Sequence, residues 1–180
     1  MNKVFDLDSM TELPNRDDHN CFGCSPSNSS GLRMRFFTDT EKVYSRVVVP
    51  PHLCGWDTMA HGGVISTILD EIMSWSAIYL TRRLILTKTM TVDFIRPVLI
   101  EQELRVVGTV LERTGEREAV MEGKIFNSRD ELCARSRGTF ALFTPEAIRK
   151  MGILSEKAVE DIEYIMNGDA GDVFPSPPQG

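Results

Sequence analysis

The stretch His61-Gly62-Gly63-Val64-Ile65-Ser66-Thr67-Ile68-Leu69-Asp70 decides the fold, because it opens an apolar run reaching Leu80 in which Asp70 and Glu71 are the only charged residues. Ile72, Met73, Trp75, Ala77, Ile78 and Tyr79 continue the run, so apolar side chains wrap most of a helix instead of one stripe. A helix that is apolar almost all round is buried. The two glycines at its start leave backbone N–H groups unshielded by any Cβ and unpaired within the helix, where the helix dipole favours a developing negative charge. That is the geometry of an oxyanion hole.

At about 3.6 residues per turn, Ser66, Asp70 and Ser74 share one narrow stripe, while Ile65, Ile68, Leu69, Ile72 and Ser76 point away from it. Glu71 lies about 100° further round, beside Thr67 and Trp75, so the two acids do not converge on one reacting atom. Asp70 is therefore the candidate acid. Buried acids persist when they are paired or functional, so a helix N-terminus with a core aspartate held by hydrogen bonds is the competing reading.

Before this helix, residues 32–37 and 44–49 alternate in polarity around the acidic turn Thr38-Asp39-Thr40-Glu41, which predicts a hairpin. Pro50-Pro51 ends it, since proline offers no N–H to a ladder. After the helix, strands are predicted at 89–95, 103–111, 119–126 and Leu132–Phe143, separated by Pro97, Thr114-Gly115-Glu116 and Asn127-Ser128-Arg129-Asp130. Two strands, a buried helix and four more strands make an α+β fold, an antiparallel β-sheet wrapped around a central α-helix. In the last strand Leu132, Ala134, Ser136, Gly138, Phe140 and Leu142 form the face that closes on the helix, with Cys133, Arg135, Arg137 and Thr139 opposite. Residues 1–20 read as an N-terminal arm, loose or as a short surface helix, and 21–143 as the domain. Residues 144–166 read as a helical extension interrupted by Gly152 and Ser155, and 167–180, with Pro175, Pro177 and Pro178, as a disordered tail.

A chain of 180 residues with 26% charged residues buries a single core without staples. Its net charge of −6 argues against general nucleic-acid binding, which needs a basic surface. With no signal peptide and no membrane-length apolar run, the expected location is cytoplasmic, with no membrane partner. Cys21 and Cys24 form a CxxC without a second one, and Cys54 and Cys133 stand apart, which argues against a disulfide scaffold. His19, His52 and Cys54 could complete a zinc set with Cys21 and Cys24, but the spacing matches no closed structural site. No metal or cofactor is expected, and the CxxC reads as a turn-rich segment packed on the domain.

His61-Gly62-Gly63 followed by six residues and Asp70 resembles the signature of the hot-dog acyl-CoA thioesterases of the PaaI-like group. Two further stretches agree with it. Cys21-Phe22-Gly23-Cys24 with Asn28 and Gly31-Leu32 is similar to an opening found in one branch of that family, and 87–98, ending in Arg96-Pro97-Val98, is similar to the strand after its central helix. The resemblance spans about Cys21 to Phe143. It implies hydrolysis of acyl-CoA to free acid and coenzyme A, with the Gly62 amide as oxyanion donor, Gly63 beside it, and Asp70 as general base or nucleophile. His61 would orient the turn and the thioester carbonyl, and the Thr87 hydroxyl, ten residues before Pro97, would orient the water. Where some members carry Asn in the loop before HGG, this chain has Gly55.

Coenzyme A phosphates call for a local basic lip, for which Arg82, Arg83, Lys88, Arg96, Arg135 and Arg137 are candidates. Trp56, Met59, Met73, Trp75 and Met90 are candidates for the acyl pocket. The resemblance also implies a homodimer, often paired into a homotetramer, with each active site shared between protomers. A non-catalytic acyl-CoA-binding module is the alternative function. An enoyl-CoA hydratase or dehydratase is a further one, although His61 at the helix start lacks the setting those enzymes show.

Overall fold

The apolar run folds as one helix, α1 (Gly62–Thr81), whose Ile68, Leu69, Ile72, Met73 and Ala77 are fully buried in the computed structural model, which describes residues 7–167. His61 caps its start from extended backbone, and Arg82 ends it in the left-handed region at φ 53°. Burial all round a helix requires a partner that curves, and the strands supply one. Before α1 come β1 (Thr11–Glu12), β2 (Phe37–Thr38), β3 (Val43–Val48) and the small hairpin of β4 (Cys54–Trp56) and β5 (Met59–Ala60). After it come β6 (Leu84–Phe94), β7 (Glu103–Arg113), β8 (Glu118–Phe126) and β9 (Leu132–Phe143).

The main sheet runs β1-β2-β3-β7-β8-β9-β6, antiparallel at every step, and wraps α1. This is the α+β hot-dog arrangement. Gly108 on β7 marks the closest approach of sheet and helix, where a Cβ would run into Ser76 Oγ and lie 2.6 Å from the Ile72 carbonyl oxygen. The alternation of β9 holds, with Ala134, Ser136, Gly138, Phe140 and Leu142 buried and Arg135 and Arg137 exposed. Cys133 departs from it and is buried, because the chain leaving β6 bonds to its carbonyl through the Ile95 and Arg96 amides at 2.8 and 2.9 Å.

Three local expectations need correction. Residues 32–36 alternate in burial but are not a strand: Arg33 sits at φ 50°, and the Leu32 and Met34 amides bond to the Phe22 and Gly23 carbonyls in a neighbouring loop. The strand predicted at 89–95 begins at Leu84 and runs eleven residues along the sheet edge. The described part of the arm departs from a loose one: a short 3-10 helical turn at Leu7–Ser9 leads into β1, which pairs with β2, and Leu13 is buried in the core.

The C-terminal helical pattern resolves into α2 (Pro145–Met151) and α3 (Glu156–Met166), with Gly152 at φ 64° ending the first and Ser155 capping the second. Ile148 and Val159 pack on Leu84. Arg16 with Asp161 and Lys157 with Asp18 tie α3 to the N-terminal segment at 3.0 and 2.6 Å. The tail expectation concerns Asn167, which caps α3, and residues 168–180, which lie outside the described ones, as do 1–6. Among the described residues, no helix is long and apolar enough to cross a membrane.

Candidate functional site

The first turn of α1 is nearly used up by one residue. His61 Nδ1 accepts the Gly63 amide at 2.9 Å, and the His61 carbonyl accepts those of Val64 and Ile65 at 2.9 and 3.1 Å. None of these bonds takes the Gly62 amide, so that group is the donor left for an external acceptor. Gly63, expected to stand beside it as a second donor, has its N–H committed to the cap. His61 thus caps the helix, with its own amide held by the Leu53 carbonyl at 3.1 Å. Gly55 packs against it: a Cβ there would lie 3.0 Å from His61 Cα, so a side chain at this position requires the helix cap to shift.

Asp70 sits two turns along α1, half-buried, and the Thr87 hydroxyl on β6 donates to its Oδ1 at 3.0 Å. Burial pushes the Asp70 carboxyl above its ordinary range, and the Thr87 hydrogen bond draws it partly back. Ser66, on the same stripe, turns its hydroxyl to the Gly62 carbonyl at 2.9 Å. Glu71 points elsewhere. It accepts from Cys21 Sγ at 3.3 Å, and burial foremost, then Cys21, pushes its carboxyl up to about 8. The two acids diverge as helical spacing requires.

Phe94 at the end of β6 is a site residue that sequence reasoning missed. Its ring stands 3.7 Å from where a Gly62 Cβ would be, yet the residue is 58% exposed. An aromatic two residues before Arg96 was the available signal.

Residues 58–134 match the family model described as Thioesterase superfamily. The matched segment contains His61, Gly62, Asp70, Thr87 and Phe94, whereas Leu53, Gly55 and Cys21, which touch this geometry, lie before it. Among solved structures, a thioesterase superfamily protein matches with TM-score 0.63 at 20% identity, over 68% of this chain and 60% of that one. The chain thus spans less than two thirds of that protein's length. Escherichia coli PaaI, from the phenylacetic acid degradation operon, matches with TM-score 0.57 at 18% identity over 62% and 80%. A hypothetical thioesterase from Streptococcus pneumoniae TIGR4, solved with coenzyme A, matches with TM-score 0.55 at 19% identity over 58% and 80%. These likenesses bear on the fold, which is the PaaI-like hot dog. No curated protein matches the sequence.

The other candidates separate by position. Arg96, Arg135 and Arg137 lie toward the Phe94 end of the sheet: Arg96 donates to the Leu132 carbonyl at 2.7 Å, Arg135 pairs with Asp93 at 2.7 Å, and Arg137 faces Glu122 at 3.7 Å. Lys88 pairs with Glu118. Arg82, over the Tyr79 ring, and Arg83 close the opposite end of α1, about 30 Å of helix from Gly62, so one ligand does not reach both ends within one chain. Met73 and Trp75 are core residues, Met73 beside Gly123 and Gly138 and Trp75 stacked on Phe36 at 4.2 Å. Met59 and Met90 are partly exposed, and Trp56 stands out at 79%.

The ligand set considered for zinc does not assemble. His19 bonds to Asn15 and to the Cys21 amide, His52 faces the Ser30 carbonyl, and Cys54 is exposed. What gathers around Cys21 and Cys24 is Glu71, from fifty residues away.

Proposed function

We propose that this protein hydrolyses acyl-CoA thioesters to a free acid and coenzyme A. The observation that carries the reading is the half-buried Asp70, held by Thr87, on the same helix whose start leaves the Gly62 amide without a partner among the described residues, inside the segment that matches the thioesterase superfamily model. The thioester oxygen is received by the Gly62 amide and the positive end of the helix dipole, a kind of donor worth roughly 2.7–4 kcal/mol to the transition state. Asp70 takes a proton from water as its oxygen bonds to the carbonyl carbon. The carbon–sulfur bond then breaks, and the departing thiolate recovers the proton from Asp70. Burial suits the role, since a carboxylate at its reference value of about 3.9 is a weak base near neutrality.

The site is shared between two copies of the chain. Eight residues of helix separate Gly62 from Asp70 by about 12 Å of axial rise, whereas reacting groups must close to about 3–3.5 Å. The Gly62 of one protomer therefore serves the Asp70 of another. The outer edge of β6, with Leu86 and Phe94 exposed, is the surface suited to joining them.

Release of free thiol from a panel of acyl-CoAs tests the reading, with crotonyl-CoA hydration assayed alongside. Hydrolysis abolished by Asp70→Asn supports it. Tight binding of acyl-CoA without turnover would replace it with the binding-module reading, and hydration without thiol release with the hydratase reading. Single turnover in heavy-oxygen water tests for a nucleophile, because label entering the Asp70 carboxylate requires an anhydride that water opens at that carboxyl.

A further inference from the structure

The loop of residues 21–24 carries a second chemistry that the proposed hydrolysis does not use. The Cys21 and Cys24 sulfurs and a Glu71 carboxylate oxygen all lie within 4.8 Å of one another. Cys24 is buried, while Cys21 and Glu71 are each partly open. The loop is draped tightly over the carboxylate: a Cβ at Gly23 would run into Cγ, Cδ and Oε1 of Glu71. The Leu32 and Met34 amides hold this drape in place through the Phe22 and Gly23 carbonyls, at 2.9 and 3.0 Å. Among the described residues, the side chains bonded to Glu71 are thiols, and no lysine or arginine pairs with it.

We propose that Cys21, Cys24 and Glu71 bind one zinc ion, with water in the fourth position. Two sulfurs and an oxygen around a common centre suit a borderline-soft divalent ion, whereas magnesium and calcium select oxygen alone. With zinc–sulfur bonds of about 2.3 Å and zinc–oxygen bonds of about 2.0–2.2 Å, tetrahedral donors stand roughly 3.5 Å apart. The Cys21 Sγ to Glu71 Oε1 distance of 3.3 Å is already near that spacing. Binding expels the two thiol protons, and any proton on the Glu71 carboxyl, to solvent as the two zinc–sulfur bonds and the zinc–oxygen bond form. The partly open side, between Cys21 and Glu71, admits the water. The ion ties the loop to the middle of α1, replacing a weak thiol–carboxylate hydrogen bond with three coordinate bonds.

The test is metal binding by the full chain, which needs no turnover and stands apart from the hydrolysis assay. Metal-free reduced protein is titrated with zinc against a chromophoric chelator, and with cobalt(II) for spectroscopy. The expected result is one ion per chain at micromolar zinc or below, with thiolate-to-cobalt charge-transfer absorption. Cys24→Ser and Glu71→Gln should each weaken zinc binding by roughly tenfold or more, and His19→Ala should leave it unchanged. Circular dichroism confirms folding, and Glu71→Gln, which keeps the side-chain volume, decides the matter if Cys24→Ser does not fold. Absence of binding at micromolar zinc overturns the proposal, as does affinity indifferent to Glu71→Gln. A Cys21–Cys24 disulfide in protein purified without reductant, with no metal taken up after reduction, overturns it too.

Discussion

The Thr87 hydroxyl and the Asp70 carboxylate meet across the α1–β6 contact, with Oγ1 donating to Oδ1 at 3.0 Å. This bond fixes which carboxylate oxygen is free for water, and it favours the charged form of a group that burial disfavours. Thr87→Val should therefore lower kcat by roughly tenfold to a hundredfold with little change in KM, and Thr87→Ser should restore most of it. Because the hydroxyl stabilises the carboxylate, its loss raises the Asp70 pKa. The acid limb of the pH–rate profile should move to higher pH in the valine variant and return in the serine variant.

Asp70→Asn keeps the volume and the contact with Thr87 while removing the base. Turnover should fall by on the order of 100-fold or more, with acyl-CoA affinity by calorimetry and the melting temperature little changed. Turnover within a few-fold of the parent would remove Asp70 from the mechanism.

Since about 12 Å of helix divides Gly62 from Asp70 within one chain, two inactive variants should rescue each other. Gly62→Val and Asp70→Asn, each inactive alone, are unfolded together and refolded as mixed dimers. Half the dimers are then mixed, each with one intact site of two, giving roughly a quarter of the parent activity. Recovery of nothing, with mixed dimers demonstrated by mass spectrometry, would show that each chain works alone.

Gly108 offers a test of the helix–sheet contact itself. An alanine there must displace Ser76 or α1, because the Ile72 carbonyl and Ser76 Oγ occupy the Cβ position. A loss of about 1–3 kcal/mol is expected, read as a lower melting temperature and denaturant midpoint. Gly115, at φ 85° with open space around it, should respond to alanine through backbone strain alone.

What was legible in the chain follows from how local each signal is. Leu132–Phe143 declared itself because one face packs on a helix along its length, so burial and strand pairing share the same period. At 32–36 the two come apart. Met34 and Phe36 are buried and Arg33 and Arg35 exposed, but the amides pair with a loop, so alternation there reports burial without a ladder. Met73, buried in the core, is a related case: on a helix buried all round, no periodicity separates a core side chain from one lining a site. The axial separation of Gly62 and Asp70 was written in their numbering. The meeting of Glu71 with Cys21 was not, because fifty residues separate them and only the folded sheet brings the loop over the helix.

The capping by His61 bears on how the reaction ends. Helix starts with several open amides are good receptors for phosphate and carboxylate ions, which they grip through more than one oxygen. Here three of the amides face inward to a single residue, leaving one outward N–H. One donor is matched to one developing charge and poorly matched to a two-oxygen anion. If the chain hydrolyses thioesters, the carboxylic acid it makes should leave readily, and the free acid should inhibit far less than the coenzyme A released with it.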